Sequence, residues 1–392
     1  MAYKTVAQLK ESISGLLPGI NLDNVVNLNG ALERSARELK SLIYIPESTV
    51  QTAINLYSGV VDYVAPTEPD IFGSAVVDFR PQGMSRSPVE YSLKKPVDVF
   101  DRTKLILPSG YHLVFEYVNG VGRIRVASSR PTSKIELDPQ TETTGWTAAG
   151  SASGLAQDEN IYWDSPSSLR FTLTGSSTGT LTKAVTQVDI DKYEDVGVAF
   201  LAIRTPSISN LTNIALRVGS SASAYDEVTE TDGFLGAWVV DQWLLVAFDF
   251  SGSTSTGTPD WNAIDYVQIR IAHTGTITNF RVGGLWLALA SPHTILYQTA
   301  AFFKASGGTV SRTITSQNDS VVLTDDALVI YEYLAAKNVA LQQGGTLASG
   351  LIQTFDAKLD GDPKAGKPGL IDIYRGNNPS QELRTVGNWY DD

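Results

Sequence analysis

Apolar residues recur at helical spacing only near the two ends of this 392-residue chain, and the long stretch between them alternates as β-structure does. At the N-terminal end Val6, Leu9, Ile13, Leu16 and Leu17 follow Thr5, a hydroxyl placed to cap them, and Pro18-Gly19 closes the segment. After Asn29 a second stripe of Leu32, Ala36, Leu39 and Ile43 runs toward Pro46, with Glu33, Arg34, Arg37, Glu38 and Lys40 on the other face. At the C-terminal end Thr324-Asp325-Asp326 precedes Leu328, Tyr331, Leu334, Ala335 and Val339, so a hydroxyl cap and two first-turn carboxylates both favour helix initiation. Leu347, Leu351, Phe355 and Leu359 make a further helix after Gly344-Gly345, completing a helical hairpin. Each stripe needs a partner, and the economical solution packs the chain's ends together and pushes the middle outward.

The middle divides by composition. Thr52 to Tyr57 and Val60 to Val64 flank Ser58-Gly59 and read as a small hairpin. Tyr111 to Val118 alternates into Asn119-Gly120 and a return strand with Ile124 and Val126, a strong hairpin signal. From 136 to 300 Ser, Thr and Gly dominate, and five of the seven tryptophans lie between Trp163 and Trp286. Strands are expected at Ser168 to Leu173, Val196 to Ile203, Ile214 to Val218, Trp243 to Phe250, Asp265 to Ile271 and Phe280 to Leu289, then Thr309 to Thr315. The expected fold is mixed but mainly β: packed helical ends, a small β-domain and an inserted antiparallel β-sandwich of jelly-roll type. Its boundaries are 1–66 for the helical segment with hairpin, 67–135 plus 301–323 for the small β-domain, 136–300 for the sandwich, and 324–392 for the helical hairpin and tail.

Composition excludes several chemistries. With no cysteine, the chain has no disulfide, thiolate metal site or cysteine nucleophile. A net charge of −12 opposes a sequence-specific nucleic-acid reader. The start, Met1-Ala2-Tyr3-Lys4-Thr5, lacks the apolar core of a secretion signal, so synthesis in the cytoplasm is expected. The longest apolar run, Phe234 to Phe250, is interrupted by Asp241 and Gln242 and is too short for a membrane span. The three histidines, His112, His273 and His293, lack metal-ligand spacing, and no cofactor is expected. Gly361 to Pro368 imitates a phosphate loop but has Pro368 where magnesium needs a hydroxyl, and Gly150-Ser151-Ala152-Ser153-Gly154 has Ala152 where a hydrolase needs serine. Asp226, Glu227, Glu230 and Asp232 read as solvated loop acids, and calcium at that loop stays open.

Aromatic residues supply the remaining candidates. Trp243 and Trp286 lie in apolar strands and are assigned to the core, whereas Trp163 and Trp261 lie in polar turns. Tyr162, Trp163, Tyr225 and Trp261 therefore form the candidate glycan face, since aromatic rings stack on sugars. Leu9, Ile13, Leu328, Tyr331 and Leu334 form the candidate assembly interface.

Thr5-Val6-Ala7-Gln8-Leu9-Lys10, Leu56 to Tyr63, Asp326 to Leu334 and Tyr374 to Ser380 resemble segments of tailed-bacteriophage virion structural proteins. The Trp-rich middle is similar to the jelly-roll sandwiches of carbohydrate-binding modules. The resemblance implies a non-enzymatic neck or head-to-tail connector subunit in the virion. Its partners would be copies of itself in a ring and portal, tail or fibre proteins. The alternative is a tail appendage that binds host-surface glycan through the sandwich. A third reading, a depolymerase with two carboxylates, stays open because the sequence does not give their separation.

Overall fold

The computed structural model describes residues 4–43, 45, 49–64, 76–81, 91–93, 111–118, 121–128, 134–163, 166–299, 301–305, 310–362 and 365–377. Helix α1 (Val6–Leu16) begins in a reciprocal cap: Gln8 N donates to Thr5 Oγ1 and Thr5 N to Gln8 Oε1. Helix α2 (Leu28–Leu42) is capped by Asn27, whose Oδ1 atom accepts from Gly30 N at 3.1 Å. Helices α3 (Asp325–Gln343), α4 (Gly345–Asp360) and α5 (Leu370–Asn377) close the chain. Thr324 makes no side-chain capping bond at α3, so Asp325 and Asp326 in the first turn support its start through the helix dipole alone.

The two ends pack together. Leu9, Ile13, Leu32 and Leu39 share one apolar core with Leu328, Tyr331 and Leu334. Tyr331 Oη donates to Leu32 O at 2.9 Å, and Asn338 Nδ2 donates to Ser35 Oγ and Glu38 Oε2. All five residues expected at an assembly interface (Leu9, Ile13, Leu328, Tyr331 and Leu334) lie in this interior, so they hold the chain to itself.

Between the ends, β1 (Thr49–Leu56), β2 (Asp62–Val64), β3 (Val76–Pro81), β4 (Tyr91–Leu93), β5 (Tyr111–Val118) and β6 (Val121–Ser128) precede the sandwich. The expected hairpin of 52–57 with 60–64 does not form: β1 pairs with the distant strand Ser291–Gln298 and β2 pairs with β6. Strands β5 and β6 pair antiparallel with Val118 opposite Val121, while Asn119-Gly120 itself lies outside the described residues.

The sandwich strands are β7 (Lys134–Asp138), β8 (Trp146–Gly150), β9 (Ala152–Asp158), β10 (Ser168–Leu173), β11 (Ser177–Val188), β12 (Gly197–Arg204), β13 (Leu211–Ser221), β14 (Ala224–Glu230), β15 (Leu244–Asp249), β16 (Thr254–Thr256), β17 (Ile264–His273) and β18 (Ile277–Leu289). One sheet runs β15-β12-β18-β10-β9 with β7 also paired to β18, and the other runs β16-β14-β13-β17-β11-β8. Their facing sides bury Leu169, Phe171, Leu201, Phe248, Leu216, Ile269 and their neighbours. The chain then returns to the body as β19 (Ser291–Gln298), which lies between β1 and β3. Of the expected strand Thr309 to Thr315, Val310–Ser311 pairs with Phe303–Lys304 and residues 312–315 leave the strand, while Thr309 lies outside the described residues.

The sandwich is docked, not tethered. Strand β12 is buried on both faces: Ala199, Leu201 and Ile203 face the sandwich core, whereas Val198 and Phe200 meet Leu56, Val60, Tyr63 and Ile124 of the body. Trp286 stacks on Phe200 at 5.7 Å and its Nε1 donates to Ser58 O at 2.9 Å. Gly59 has φ +82° beside that indole, where a Cβ would sit 3.0 Å from Nε1. The body thus covers part of the first sheet's outer side. The outer side of the second, open sheet faces away from the core between the two sheets.

Candidate functional site

On the open sheet, Ile214, Leu216 and Val218 of β13 turn inward, so Ala215, Arg217 and Gly219 turn outward. The register sets three rows across the sheet. Arg217 lies opposite Glu227 of β14 and Gln268 of β17, and Gln268 lies opposite Thr182 of β11. One row along, Gly219 lies between Tyr225 and Tyr266. On the other side, Ala215 lies between Thr229 and Arg270.

These side chains form one connected array. Arg217 Nε donates to Glu227 Oε2 and its Nη1 donates to Gln268 Oε1 at 3.0 Å. Gln268 Nε2 donates to Thr182 Oγ1 at 2.9 Å. Arg270 Nη1 reaches both Glu227 oxygens, at 3.0 and 2.8 Å. The Arg217 guanidinium lies 4.3 Å above the Tyr225 ring centroid. The two tyrosine rings stand 6.3 Å apart at 36°. Gly219 makes that approach feasible, because a Cβ there would fall 2.2 Å from Ala224 O and 2.6 Å from Tyr225 Cβ.

Burial alone would raise the Glu227 pKa, but the hydrogen bonds and charges of Arg217 and Arg270 hold its carboxyl below the usual range. Burial raises the Tyr266 hydroxyl, a shift that Arg217 partly opposes. A groove of about 450 Å³ continues from Glu227 to the sheet edge past Thr229, Glu230, Asp249, Ser251 and Thr254. There burial, then Asp249 and Asp232, raises the Glu230 carboxyl. The result is a pair of tilted tyrosine rings, Tyr225 buried beneath the Arg217 guanidinium and Tyr266 half-buried at the surface, beside hydrogen-bonding groups that hold one another in place.

The four residues expected to share a glycan face are split. Tyr225 lies in the array. Tyr162 and Trp163 lie on the outer side of the other sheet, exposed, with Trp163 packed over Gly283 and 6.2 Å from Trp243. Trp243 is half-buried there rather than in the core, whereas Trp286 is buried as expected. Trp261 is 2% exposed, and its Nε1 donates to Asp226 Oδ2 at 2.7 Å, which removes it from any surface. The acidic cluster is also not a loop: Asp226, Glu227 and Glu230 belong to β14, which pairs with both β13 and β16. Among the described residues no group of three or more His, Asp or Glu is arranged to hold a metal ion.

The rejected motifs have structural roles. Gly361-Asp362 pairs with Lys367-Pro368 in a small hairpin after α4. Ser151, in the turn between β8 and β9, lies 2.6 Å from His273 Nε2, and His273 Nδ1 is 2.9 Å from Gly275 O. A carbonyl only accepts, so Nδ1 carries the proton and Ser151 donates to Nε2. The Ser151 amide already donates to Thr178 O, and the pair ties the turn to the end of β17. His293 is buried, and burial lowers its pKa, so the ring is neutral. The His112 side chain lies outside the described residues. Arg217, Gln268, Arg270 and Tyr266, the residues that build the array, were not candidates from sequence.

No family model matches the chain, and no curated protein matches it. Solved structures do. A family 11 carbohydrate-binding module from Clostridium thermocellum, in complex with a beta-1,3-1,4-mixed-linked tetrasaccharide, is 13% identical, with 40% of this chain and 96% of that one covered and a TM-score of 0.30. A family 30 carbohydrate-binding module of a cellulosomal cellulase from C. thermocellum is 10% identical, with 40% and 96% covered and a TM-score of 0.31. A structure of carbohydrate-binding modules from the β-sandwich superfamily is 16% identical, with 62% and 99% covered and a TM-score of 0.30. These neighbours are carbohydrate-binding modules, and likeness at this level carries no conclusion about ligand.

Proposed function

We propose that this chain binds glycan on the outer face of its open sheet and makes or breaks no bond in doing so. The observation that carries the reading is the locked set of Tyr225, Tyr266, Arg217, Arg270, Glu227 and Gln268, drawn from three strands of that sheet. Two arginines, one glutamate and one glutamine held by each other have already lost their side-chain freedom, so ligand hydroxyls meet donors and acceptors whose ordering costs little more. The strand region against which the sandwich docks then serves as its mount, as suits the appendage of a phage tail. The connector reading lacks comparable support, since the apolar residues assigned to its ring contacts are interior.

The test is a glycan array probed with the full chain, followed by calorimetry on any hit. Tyr225→Ala and Tyr266→Ala are expected to weaken binding by about 30-fold each, the effect of removing an anchor worth about 2 kcal/mol. Trp163→Ala, on the other sheet, is expected to leave it unchanged. Full binding by both tyrosine variants, or loss of binding in Trp163→Ala, overturns the assignment of the face.

A further inference from the structure

We propose that the open-sheet site selects acidic glycans and that Arg270 receives the carboxylate of a hexuronate residue; this rests on the glycan-binding reading above. Three charged side chains occupy the array, Arg217, Arg270 and Glu227, and they sum to one positive charge. Glu227 stays ionised at neutral pH, because both guanidiniums favour its charged form. The two arginines differ in what they have left to give. Arg217 bonds to Glu227 and Gln268 and lies against the Tyr225 ring, so its role is to hold these side chains together. Arg270 directs Nη1 to Glu227, and among the described residues its Nε and Nη2 donate to nothing.

Small neighbours keep that guanidinium open. Arg270 lies opposite Thr180 on one side and Ala215 on the other, and Ala272 is the next outward residue of its own strand. Its side chain keeps 31% of its exposure. Tyr266 lies four residues away on the same face, with Gln268 between them; two residues of strand span about 7 Å, so the three side chains line roughly 13 Å, enough for successive sugar rings. A ring stacked on Tyr266, the more exposed of the two tyrosines, places hydroxyls at Gln268 and presents the carboxylate of the next residue to Arg270, a bidentate pairing that guanidinium geometry favours. The chain carries −12 overall, so a polyanion needs a local positive group such as the Arg270 guanidinium to overcome the general repulsion.

The experiment titrates the full chain by calorimetry with oligomers of galacturonate, glucuronate, mannuronate and guluronate, each paired with its carboxyl-reduced neutral counterpart. At least one acidic oligomer is expected to bind 10-fold or more tightly than its neutral partner. Arg270→Gln is expected to reduce that ratio to near one, and Arg270→Lys to restore part of it. Thr180→Glu, which sets a competing carboxylate opposite Arg270, is expected to abolish the preference without disturbing the core. Circular dichroism and the unfolding midpoint check that each variant folds. Equal affinity for both members of every pair overturns the proposal, as does a ratio that survives in Arg270→Gln or Thr180→Glu. If the chain binds only neutral glycans, and Tyr225→Ala abolishes that binding, the acidic assignment falls while the glycan-binding reading stands. If no glycan of either kind binds, both fall.

Discussion

Asp158 shows how one buried charge positions a loop. Its carboxylate accepts from Arg281 Nε at 2.9 Å and from the amides of Asn160 and Ile161, while Ser168 Oγ donates to Ile161 O; together these hold the turn that carries Tyr162 and Trp163. Burial would raise its pKa, but Arg281 and the two amides hold it below the ordinary value. A carboxyl whose folded pKa lies below its unfolded value, about 3.9, stabilises the fold fully above that range and loses the contribution as pH falls through the folded value. Glu227 and Asp319 have the same sign, Asp319 through Thr315 and Ser316. Urea unfolding from pH 7 to pH 2 is therefore expected to show a flat midpoint that drops below about pH 4. Asp158→Asn is expected to cost about 3–5 kcal/mol at pH 7, because Arg281 stays buried without its counter-charge, and to flatten the acid limb. A mutant midpoint with the wild-type slope would contradict this account. At this scale the sequence shows which positions are polar but not what they touch. Asp260 and Asn262 make the turn at Trp261 read as polar, yet the indole folds under to Asp226.

Among the elements, the four longer helices were legible because a 3.6-residue period and a stop are local, whereas the short Leu370–Asn377 helix lay in what read as a tail. Half of the sandwich strands were legible for the matching reason, since Ile214 to Val218 and Val267 to Ile271 alternate cleanly, whereas the polar β8, β9, β11 and β14 gave no such signal and β14 read as a loop. That alternation already marks Arg217, Gln268 and Arg270 as the outward polar positions of two strands. What it omits is the register that sets them side by side, which depends on strands about 50 residues apart in sequence. The β1–β19 pairing, joining 49–56 to 291–298, was invisible on the same grounds, so a local hairpin was expected in its place. Register also explains the role of Gly219. A side chain there would strike Ala224 O and Tyr225, so β14 must shift or the ring must tilt away. Gly219→Ala is expected to destabilise the chain by about 1–3 kcal/mol and to weaken glycan binding. Gly252→Ala, with nothing within 4 Å of the added atom, is expected to do neither. Thermal unfolding and calorimetry on the two variants provide the comparison, and equal behaviour would mean that β14 adapts freely.

At the scale of the whole molecule, three apolar clusters divide the work: one inside the sandwich, one among the helices, and a smaller one where the sandwich meets strands β1, β2, β6 and β19. The joint is aromatic. Phe200 meets Tyr57 at 5.2 Å, Phe234 at 5.5 Å and Trp286 at 5.7 Å, and Tyr63 meets Phe234 at 5.8 Å. Trp286 contributes to that joint and not to the sandwich interior, because β18 points Leu285 and Leu287 inward and Trp286 outward. Truncating it removes the stack on Phe200, the cation–π contact with Lys134 and the bond to Ser58 O, while both larger cores keep their side chains. Trp286→Ala is expected to cost about 3–5 kcal/mol, as for other buried aromatic truncations, with the loss falling on the coupling between body and sandwich. Scanning calorimetry is then expected to resolve two transitions where the wild-type chain gives one, and glycan affinity at the open sheet, on the far side of the sandwich, to change less than threefold. A single cooperative transition in the variant would show that the body and sandwich are held together by something other than this aromatic joint. Lost glycan binding would show that the open sheet takes its shape from the body as well as from its own strands.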